Sequence, residues 1–191
     1  MPLNHAFETF PTLDTKRLIL RRIYPADAGA LFAVLRDEQV TEYYDDDAFT
    51  EVSQASDQIE AWERAYQNRS AVRWGITQKD GGQLIGTCGY YGFHSWYLRA
   101  AIGYELSREY WRQGIMTEAV SALIEYGIDE LGLNRIQALV MPGNTASIRL
   151  LEKLGFQNEG LLKEYEKWGS KGLVDLDMFA LLRADWEQIR L

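Results

Sequence analysis

The first third of the chain combines a short strand candidate with two segments of helical period. The strand is predicted over residues 18–23, and Pro25 then opens a helix, because the apolar positions that follow recur three or four residues apart. A second helix is predicted over residues 53–68 on the same pattern. The acidic, tyrosine-containing segment 42–47 between them is predicted to be a loop. The predicted inward positions are Ala28, Leu31, Phe32 and Leu35 in the first helix and Ile59, Trp62, Ala65 and Tyr66 in the second.

A β-hairpin is predicted where the period changes to two. Apolar side chains at Val72, Trp74 and Ile76 alternate with smaller or more polar residues, and a second strand is predicted over residues 83–91. The residues between the two strands read Lys-Asp-Gly-Gly, which suits a tight turn. A further strand is predicted over residues 100–106.

The clearest helical pattern begins after Gly114. Its apolar residues form one broad face and its polar residues lie opposite, so this helix is predicted to pack on a sheet. It is predicted to run to about residue 131, with Gly132 as the C-terminal cap. The apolar face comprises Ile115, Met116, Ala119, Val120, Leu123, Ile124, Gly127 and Ile128.

The remaining pattern completes one α/β domain. The last predicted elements are a strand over 135–141, a helix over 144–154 and strands near 156–165 and 173–182, which give the order βααβββαβαββ. The chain has 191 residues, of which 47% are hydrophobic and 25% charged, and this suits one domain over residues 1–191 with its core at about 15–183.

The formal net charge of -8 argues against a nucleic-acid partner, which requires a basic surface. It suits cationic substrates, although a solvated acidic surface explains it equally well. No apolar run is long enough to span a bilayer, and the first 13 residues lack the features of a secretory signal. We therefore expect a cytoplasmic protein with no membrane partner.

The single cysteine, Cys88, excludes an internal disulfide and lies in a predicted strand, where a small buried side chain is the default. Neither His5 nor His94 falls in a motif, so a histidine base is not expected, and no metal site is predicted.

The segment 110–119 joins a strand end to a helix start. Such a junction presents unpaired backbone N–H groups and the positive end of the helix dipole, which together bind anions such as a diphosphate. Gly114 allows the backbone to approach a ligand closely. The alternative interpretation is an ordinary strand-to-helix turn that contains a glycine.

The order of elements and two motifs resemble the GNAT superfamily of acetyltransferases, and more closely its branch of ribosomal-protein alanine and serine N-terminal acetyltransferases. The motifs are YWRQGIMTEA at 110–119 and PGNTASIRLLEKLGF at 142–156. The segments 15–32 and 161–186 are similar to the beginning and end of proteins of that branch, so the resemblance covers nearly the whole chain. It implies a mixed, mostly antiparallel sheet with four flanking helices and a splayed strand pair that binds acetyl-coenzyme A.

The resemblance assigns the cosubstrate contacts. The pyrophosphate loop of the superfamily falls on residues 111–116, and of its pattern only Gly114 is kept. Trp111 and Met116 depart from it, which puts side-chain contacts in doubt more than binding through main-chain N–H groups. The implied pantetheine contacts are Tyr104 and Leu106, with Glu105 between them, largely through the backbone. The rest of the implied set is Arg112, Gln113, Gly114, Ile115, Met116 and Thr117 for pyrophosphate, with Asn144 and Ser147 as further contacts of the cofactor. Asn144 is equally suited to cap a helix.

The resemblance also names candidate catalytic residues. Leu151 occupies the position of a tyrosine that acts as the acid in many superfamily members, and in the closer branch a serine is proposed instead, here Ser147. The alternative role for Ser147 is a helix serine that bonds the backbone. Glu166 matches the putative base of that branch, and Glu105 is a further candidate.

Two neighbours of Glu166 are alternative bases, Glu164 and Glu159. Strand alternation predicts Glu164 and Glu166 on one face, where paired carboxylates raise one pKa. The alternative is an exposed acidic edge.

The implied function is transfer of an acetyl group to a primary amine, with a protein N-terminal α-amine as the first candidate. A small amine, such as a polyamine, an aminoglycoside or an amino-acid-like compound, is the second, and a non-catalytic acyl-CoA-binding module is the third. A protein acceptor requires an open groove, whereas a small amine suits a closed acidic pocket. The sequence leaves open a monomer or a homodimer.

Overall fold

The computed structural model describes residues 7–190. The strands are β1 (Leu13–Asp14), β2 (Leu18–Arg22), β3 (Ala71–Gln78), β4 (Leu84–His94), β5 (Arg99–Leu106), β6 (Arg135–Val140), β7 (Gln157–Trp168) and β8 (Gly172–Leu182). The helices are α1 (Ala28–Leu35), α2 (Glu38–Thr41), α3 (Val52–Gln67), α4 (Ile115–Glu125), α5 (Thr145–Lys153) and α6 (Arg183–Ile189).

Within the described residues the strands form an eight-stranded sheet in the order β1-β2-β3-β4-β5-β6-β8-β7. Neighbouring strands are antiparallel, except that β5 and β6 run parallel. This parallel pairing extends only from Arg99 opposite Arg135 to Ala101 opposite Gln137. Beyond that point the two strands separate. The predicted mixed, mostly antiparallel sheet with flanking helices is confirmed.

Helices cover both faces of the sheet. On one face, α4 packs its apolar side against the sheet, and seven of the eight residues predicted for that side are buried. On the other face, Leu31, Leu35, Ala55 and Ile59 of α1 and α3 form a separate buried cluster. Cys88 is fully buried, and burial raises its pKa to about 12, so it is packed as a small apolar side chain.

The helix predicted to run to about residue 131 changes geometry at Glu125, where a π turn over Tyr126–Glu130 follows α4. Tyr90 explains the change, because its hydroxyl donates to the Leu123 carbonyl at 2.7 Å. A side chain at Gly127 would clash with the same hydroxyl. Gly132 then ends the turn with φ +70°, as predicted.

Three short elements lie outside the predicted order. β1 has two residues, and α2 has four and begins at an Asp37 cap that accepts a hydrogen bond from the Gln39 N–H at 3.0 Å. α6 follows β8 directly and buries Trp186. Elements this short have too few positions to show a period, which is why the pattern does not predict them.

Candidate functional site

The segment between β5 and α4 forms a left-handed loop. Arg112 has φ +59° and Gly114 has φ +72°, and Gly114 is the N-cap of α4. The first N–H groups of a helix have no acceptor within it, so those of Ile115, Met116 and Thr117 lie at the positive end of α4. The predicted junction of a strand, a glycine turn and a helix start is therefore present.

Side chains of the loop itself hold its shape. The indole N–H of Trp111 donates to the Leu106 carbonyl at 2.8 Å, and the side-chain amide of Gln113 donates to the Glu109 carbonyl at 2.7 Å. Trp111 thus takes a structural role where the sequence departs from the superfamily pattern.

Residues near the beginning of the chain, for which the sequence predicted no role at the site, also hold the loop in place. Glu118, in the first turn of α4, accepts hydrogen bonds from the Thr15 hydroxyl at 2.6 Å, from the Arg17 N–H at 2.7 Å and from the Arg17 Nε at 2.6 Å. Arg17 also donates to the Gln113 carbonyl at 2.9 Å. Burial would raise the pKa of Glu118, but the bonds from Thr15 and Arg17 outweigh it and lower the pKa.

A cavity of about 310 Å³ opens where β5 and β6 separate. Its walls come from β5 and β6, from the start of α5, from α3, from the loop after α2 and from β7. The lining residues include Tyr44, Asp45, Asp46, Trp62, Arg73, Tyr91, Tyr104, Asn144, Ser147, Glu166 and Trp168. The structure thus brings Tyr104, Asn144, Ser147 and Glu166, which are far apart in sequence, to one cavity.

At the end of the cavity nearest α5, two hydroxyl side chains line the wall, those of Tyr104 and Ser147. Asn144 caps α5, because its side-chain oxygen accepts from the Ser147 N–H at 3.1 Å, and Asn144 also lines the cavity. Burial raises the pKa of Tyr104 to about 12, and the Ser147 hydroxyl is close enough to act on it in the opposite direction.

A buried ion pair lies on the opposite face of β5. Arg73 on β3 donates to the Thr87 hydroxyl at 2.6 Å, to the Gly103 carbonyl at 3.0 Å and to the Glu105 carboxylate. The Thr87 hydroxyl donates to the other oxygen of Glu105. Burial raises the pKa of Glu105, and Arg73 and Thr87 partly offset that effect. Both carboxylate oxygens of this candidate base are therefore engaged inside the protein, and Arg73 is the member of the network that lines the cavity.

The other end of the cavity is acidic. Asp45 and Asp46, in the loop after α2, line it together with Glu166 of β7, and all three residues are exposed. The indole N–H of Trp168 donates to Glu166 at 3.0 Å. Partial burial raises the pKa of Asp45, and the negative charges of Asp46 and Glu166 act in the same direction. Asp45 therefore lies close enough to Glu166 for the charge of Glu166 to raise the pKa of Asp45.

The alternation expected for Glu164 and Glu166 does not hold. The pairing of β7 with β8 shifts between Leu162 and Glu166, and Glu164 lies inside the shift with φ +47°. Its N–H donates to the Asp175 carboxylate at 2.8 Å. A paired site of Glu164 and Glu166 therefore does not follow from the strand geometry.

The third glutamate of β7, Glu159, forms an ion pair with Arg135 at the beginning of β6. The Arg135 Nη1 donates to the Glu159 carboxylate at 2.8 Å. That hydrogen bond lowers the pKa of Glu159. Of the three glutamates of β7, Glu166 is the one that lines the cavity.

One aspartate of the acidic segment has a structural role. The Asp47 carboxylate accepts from the Ser170 hydroxyl at 2.6 Å and from the Ser170 N–H at 3.1 Å, which lowers the pKa of Asp47. It therefore ties the loop after α2 to the connection between β7 and β8.

The residues present fit acetyl-coenzyme A. The left-handed loop at Gly114 and the N-terminus of α4 supply N–H groups for a pyrophosphate, and β5 beyond Ala101 leaves one edge unpaired toward β6 for pantetheine. No cluster of His, Cys, Asp and Glu suited to a metal ion occurs within residues 7–190. Over the same residues, no helix is long and apolar enough to cross a membrane.

Comparison with known proteins agrees with this geometry. The family model described as "Acetyltransferase (GNAT) domain" matches residues 17–157. The N-acetyltransferase p20 of Bacillus licheniformis is 45% identical over 176 residues, which are 92% of this chain and 98% of that protein. The [ribosomal protein uS5]-alanine N-acetyltransferase of Escherichia coli is 28% identical over 162 residues, with 80% and 81% covered.

Solved structures share the fold. RimJ of Mycobacterium smegmatis, solved in complex with CoA-disulfide, superposes with a TM-score of 0.80 at 23% identity, and the match covers 91% of this chain and 88% of that one. At this identity the likeness concerns the fold, and the cavity and the loop at Gly114 are properties of this chain.

Proposed function

The chain belongs to the GNAT family of acetyltransferases and is an acetyl-CoA-dependent N-acetyltransferase, and we propose that its acceptor is the α-amine at the N-terminus of a protein. The acetyl thioester supplies an activated acyl group, and the chain supplies the groups that position an amine beside it and take its proton.

The observation that carries this proposal is the acidic end of the cavity, which opens to solvent. Asp45, Asp46 and Glu166 are exposed there, Tyr91 lines the same cavity at 41% exposure, and Tyr165, at 49% exposure, is close enough to Tyr91 to raise its pKa. An opening of this kind leaves room for the rest of a polypeptide outside the cavity while its first residue enters.

The charges of this end suit a protonated amine. Carboxylates attract an ammonium group, and the aromatic side chains of Tyr44 and Trp168 line the same cavity. The face of the Trp62 ring already carries the Arg73 guanidinium, which lies 5.1 Å from the ring centre and is only 11% exposed, so Arg73 is a fixed donor in the wall.

We assign the base to Glu166. Its hydrogen bond from Trp168 orients the carboxylate toward the cavity wall, and Asp45 is the neighbouring acid whose charge acts on the same site. In this assignment Glu166 takes one proton from the bound ammonium before the amine attacks, which is general base catalysis. Glu105, which does not line the cavity, holds the Arg73 side chain in place through their ion pair.

The similarity to a [ribosomal protein uS5]-alanine N-acetyltransferase supports a protein as the acceptor. The test is release of the coenzyme A thiol with peptides that begin with alanine or serine. The matched control is the same peptide with a blocked N-terminus and an internal lysine. We expect kcat/KM to be at least about tenfold higher with the free α-amine, which corresponds to about 1.4 kcal/mol. Faster turnover of the blocked peptide would contradict the proposal.

A small cationic amine is the second candidate, because three carboxylates at one cavity also suit a diamine or polyamine. The same assay includes spermidine and an aminoglycoside. A kcat/KM for either compound above that of the alanine and serine peptides would assign the acceptor to this second class.

A further inference from the structure

The coenzyme end of the cavity holds a hydroxyl pair that the family pattern does not assign as a pair. Tyr104 lies on β5 three residues beyond Ala101, where β5 and β6 have separated, and Ser147 lies in the first turn of α5. Both residues line the cavity, and the Ser147 hydroxyl is close enough to Tyr104 to affect its pKa. Leu151, one turn further along α5, is fully buried and has no group to donate.

The reaction requires a hydrogen-bond donor near the sulfur of the thioester. As the amine nitrogen bonds to the thioester carbon, the carbon–sulfur bond breaks and the electron pair goes to sulfur as a thiolate. One ammonium proton has gone to the base, and the second leaves the nitrogen for solvent as the amide forms. The developing negative charge on sulfur is stabilised by a donor that is already in place.

A phenol is the better donor of the two hydroxyl groups. The ordinary pKa of tyrosine is about 10, far below that of an alcohol, and a hydrogen bond to an anion strengthens with the acidity of its donor. The Ser147 N–H is already used by the Asn144 cap, so α5 fixes the serine in position. Because Ser147 lines the same cavity and is close enough to Tyr104 to affect its pKa, it is the residue placed to orient the Tyr104 hydroxyl.

We propose that Tyr104 donates the hydrogen bond that stabilises the departing coenzyme A thiolate, with Ser147 as the residue that positions the Tyr104 hydroxyl. Tyr104 keeps its proton throughout. The thiolate leaves as an anion and is protonated by solvent, so atoms and charges balance without a proton from the protein.

The buried surroundings of Tyr104 determine that it donates a hydrogen bond and keeps its proton. Burial raises the pKa of Tyr104 to about 12, whereas a free thiol has a pKa of about 8.5. A proton would therefore stay on the phenol in the presence of the thiolate. Tyr104 remains a hydroxyl donor at every pH at which such an enzyme works. This role depends on coenzyme A and is independent of the acceptor.

The test is the pH dependence of binding of coenzyme A itself, measured by calorimetry between about pH 6.5 and 9.5, a range centred near the thiol pKa. A donor to sulfur lowers the pKa of the bound thiol, so wild-type affinity is expected to rise by about tenfold across this range. Desulfo-coenzyme A has no sulfur and is expected to show no rise. The same pH dependence for both ligands would overturn the proposal with the wild-type protein alone.

The variant Tyr104→Phe removes the hydroxyl and keeps the ring. It is expected to abolish the rise in affinity, and to lower kcat by about 10- to 100-fold with KM for acetyl-coenzyme A nearly unchanged, as for loss of one donor to a developing anion. Tyr126→Phe is the control, because Tyr126 is a partly buried tyrosine that packs on Trp74 at 5.7 Å, outside the cavity. It is expected to behave as the wild type.

The variant Ser147→Ala distinguishes the roles of the two hydroxyl groups. If Ser147 positions Tyr104, this variant retains part of the rise in affinity and loses about tenfold in kcat, less than the ~10²–10⁴-fold of a direct acid. If Ser147→Ala abolishes the rise and Tyr104→Phe leaves it intact, the serine is the donor and the proposal is wrong.

Discussion

The substitution Gly114→Ala tests whether the loop before α4 binds the pyrophosphate of the cosubstrate. Gly114 has φ +72°, a conformation that costs an L-residue about 1–2 kcal/mol. An added Cβ would lie 3.5 Å from the Arg17 Nη2, which is an ordinary contact, so no clash within the protein adds to this cost. For a chain of this length, 1 kcal/mol lowers Tm by about 2–4 °C, so Tm is expected to fall by about 2–8 °C.

Gly82→Ala is a matched control for the backbone strain. Gly82 has φ +66° and lies in the turn between β3 and β4, where an added Cβ meets no atom within 4 Å. The two variants should therefore lose similar stability. Only Gly114→Ala places a methyl group where the N–H groups before α4 face the ligand, so only this variant should weaken binding of acetyl-coenzyme A, by at least about tenfold.

Calorimetric titration and thermal unfolding of both variants provide the comparison. Equal affinities for acetyl-coenzyme A in the two variants, at similar losses of stability, would refute the assignment of the pyrophosphate to this loop.

Further variants test the acceptor end and the support of the loop. Glu166→Gln should lower kcat/KM only at pH values where the wild-type carboxylate is ionised, and a pH profile equal to the wild type would remove Glu166 as the base. Asp45→Asn and Asp46→Asn should each raise KM for cationic acceptors, with a difference that shrinks as salt is added, whereas Asp80→Asn in the exposed β3–β4 turn removes the same single charge and should have no effect. Glu118→Gln should cost about 1–3 kcal/mol of stability at pH 7. Because the pKa of Glu118 is lowered in the folded state, this contribution is present above the unfolded pKa and is lost as pH falls through the folded pKa, so the variant and the wild type should converge in acid unfolding.

The long elements were predictable because their periods are strong. The apolar face of α4 and the alternation of β3 each extend over enough residues to be read without tertiary information. The cap at Asn144 and the glycine at 114 were likewise predictable, since both are local features with known backbone requirements.

The site was harder to predict from the sequence, because its residues are far apart along the chain and are brought together only by the pairing of strands in the sheet. Arg73, Thr87 and Glu105 lie on three neighbouring strands, and an inward charge on a strand was the one available signal for this network. The alternation rule failed at Glu164 because it assumes regular pairing, which β7 loses there. The side chain of Tyr104 was overlooked because the resemblance assigns that position a contact through the backbone.

Asp47 shows a further limit of prediction from the sequence. Composition groups it with Asp45 and Asp46 in one acidic run, but its carboxylate is held by Ser170, which is 123 residues further along the chain. It supports the loop, whereas its two neighbours line the cavity. Sequence adjacency therefore does not identify which acid of the run contacts an acceptor.

The location of the transferred acetyl group tests the proposed acceptor most directly. A peptide with an alanine N-terminus and one internal lysine is incubated with acetyl-coenzyme A and the enzyme, and the product is sequenced by tandem mass spectrometry. The proposal predicts an acetyl group on the α-amine and an unmodified lysine. Acetylation of the lysine side chain, or an unmodified peptide alongside rapid acetylation of spermidine, would contradict it.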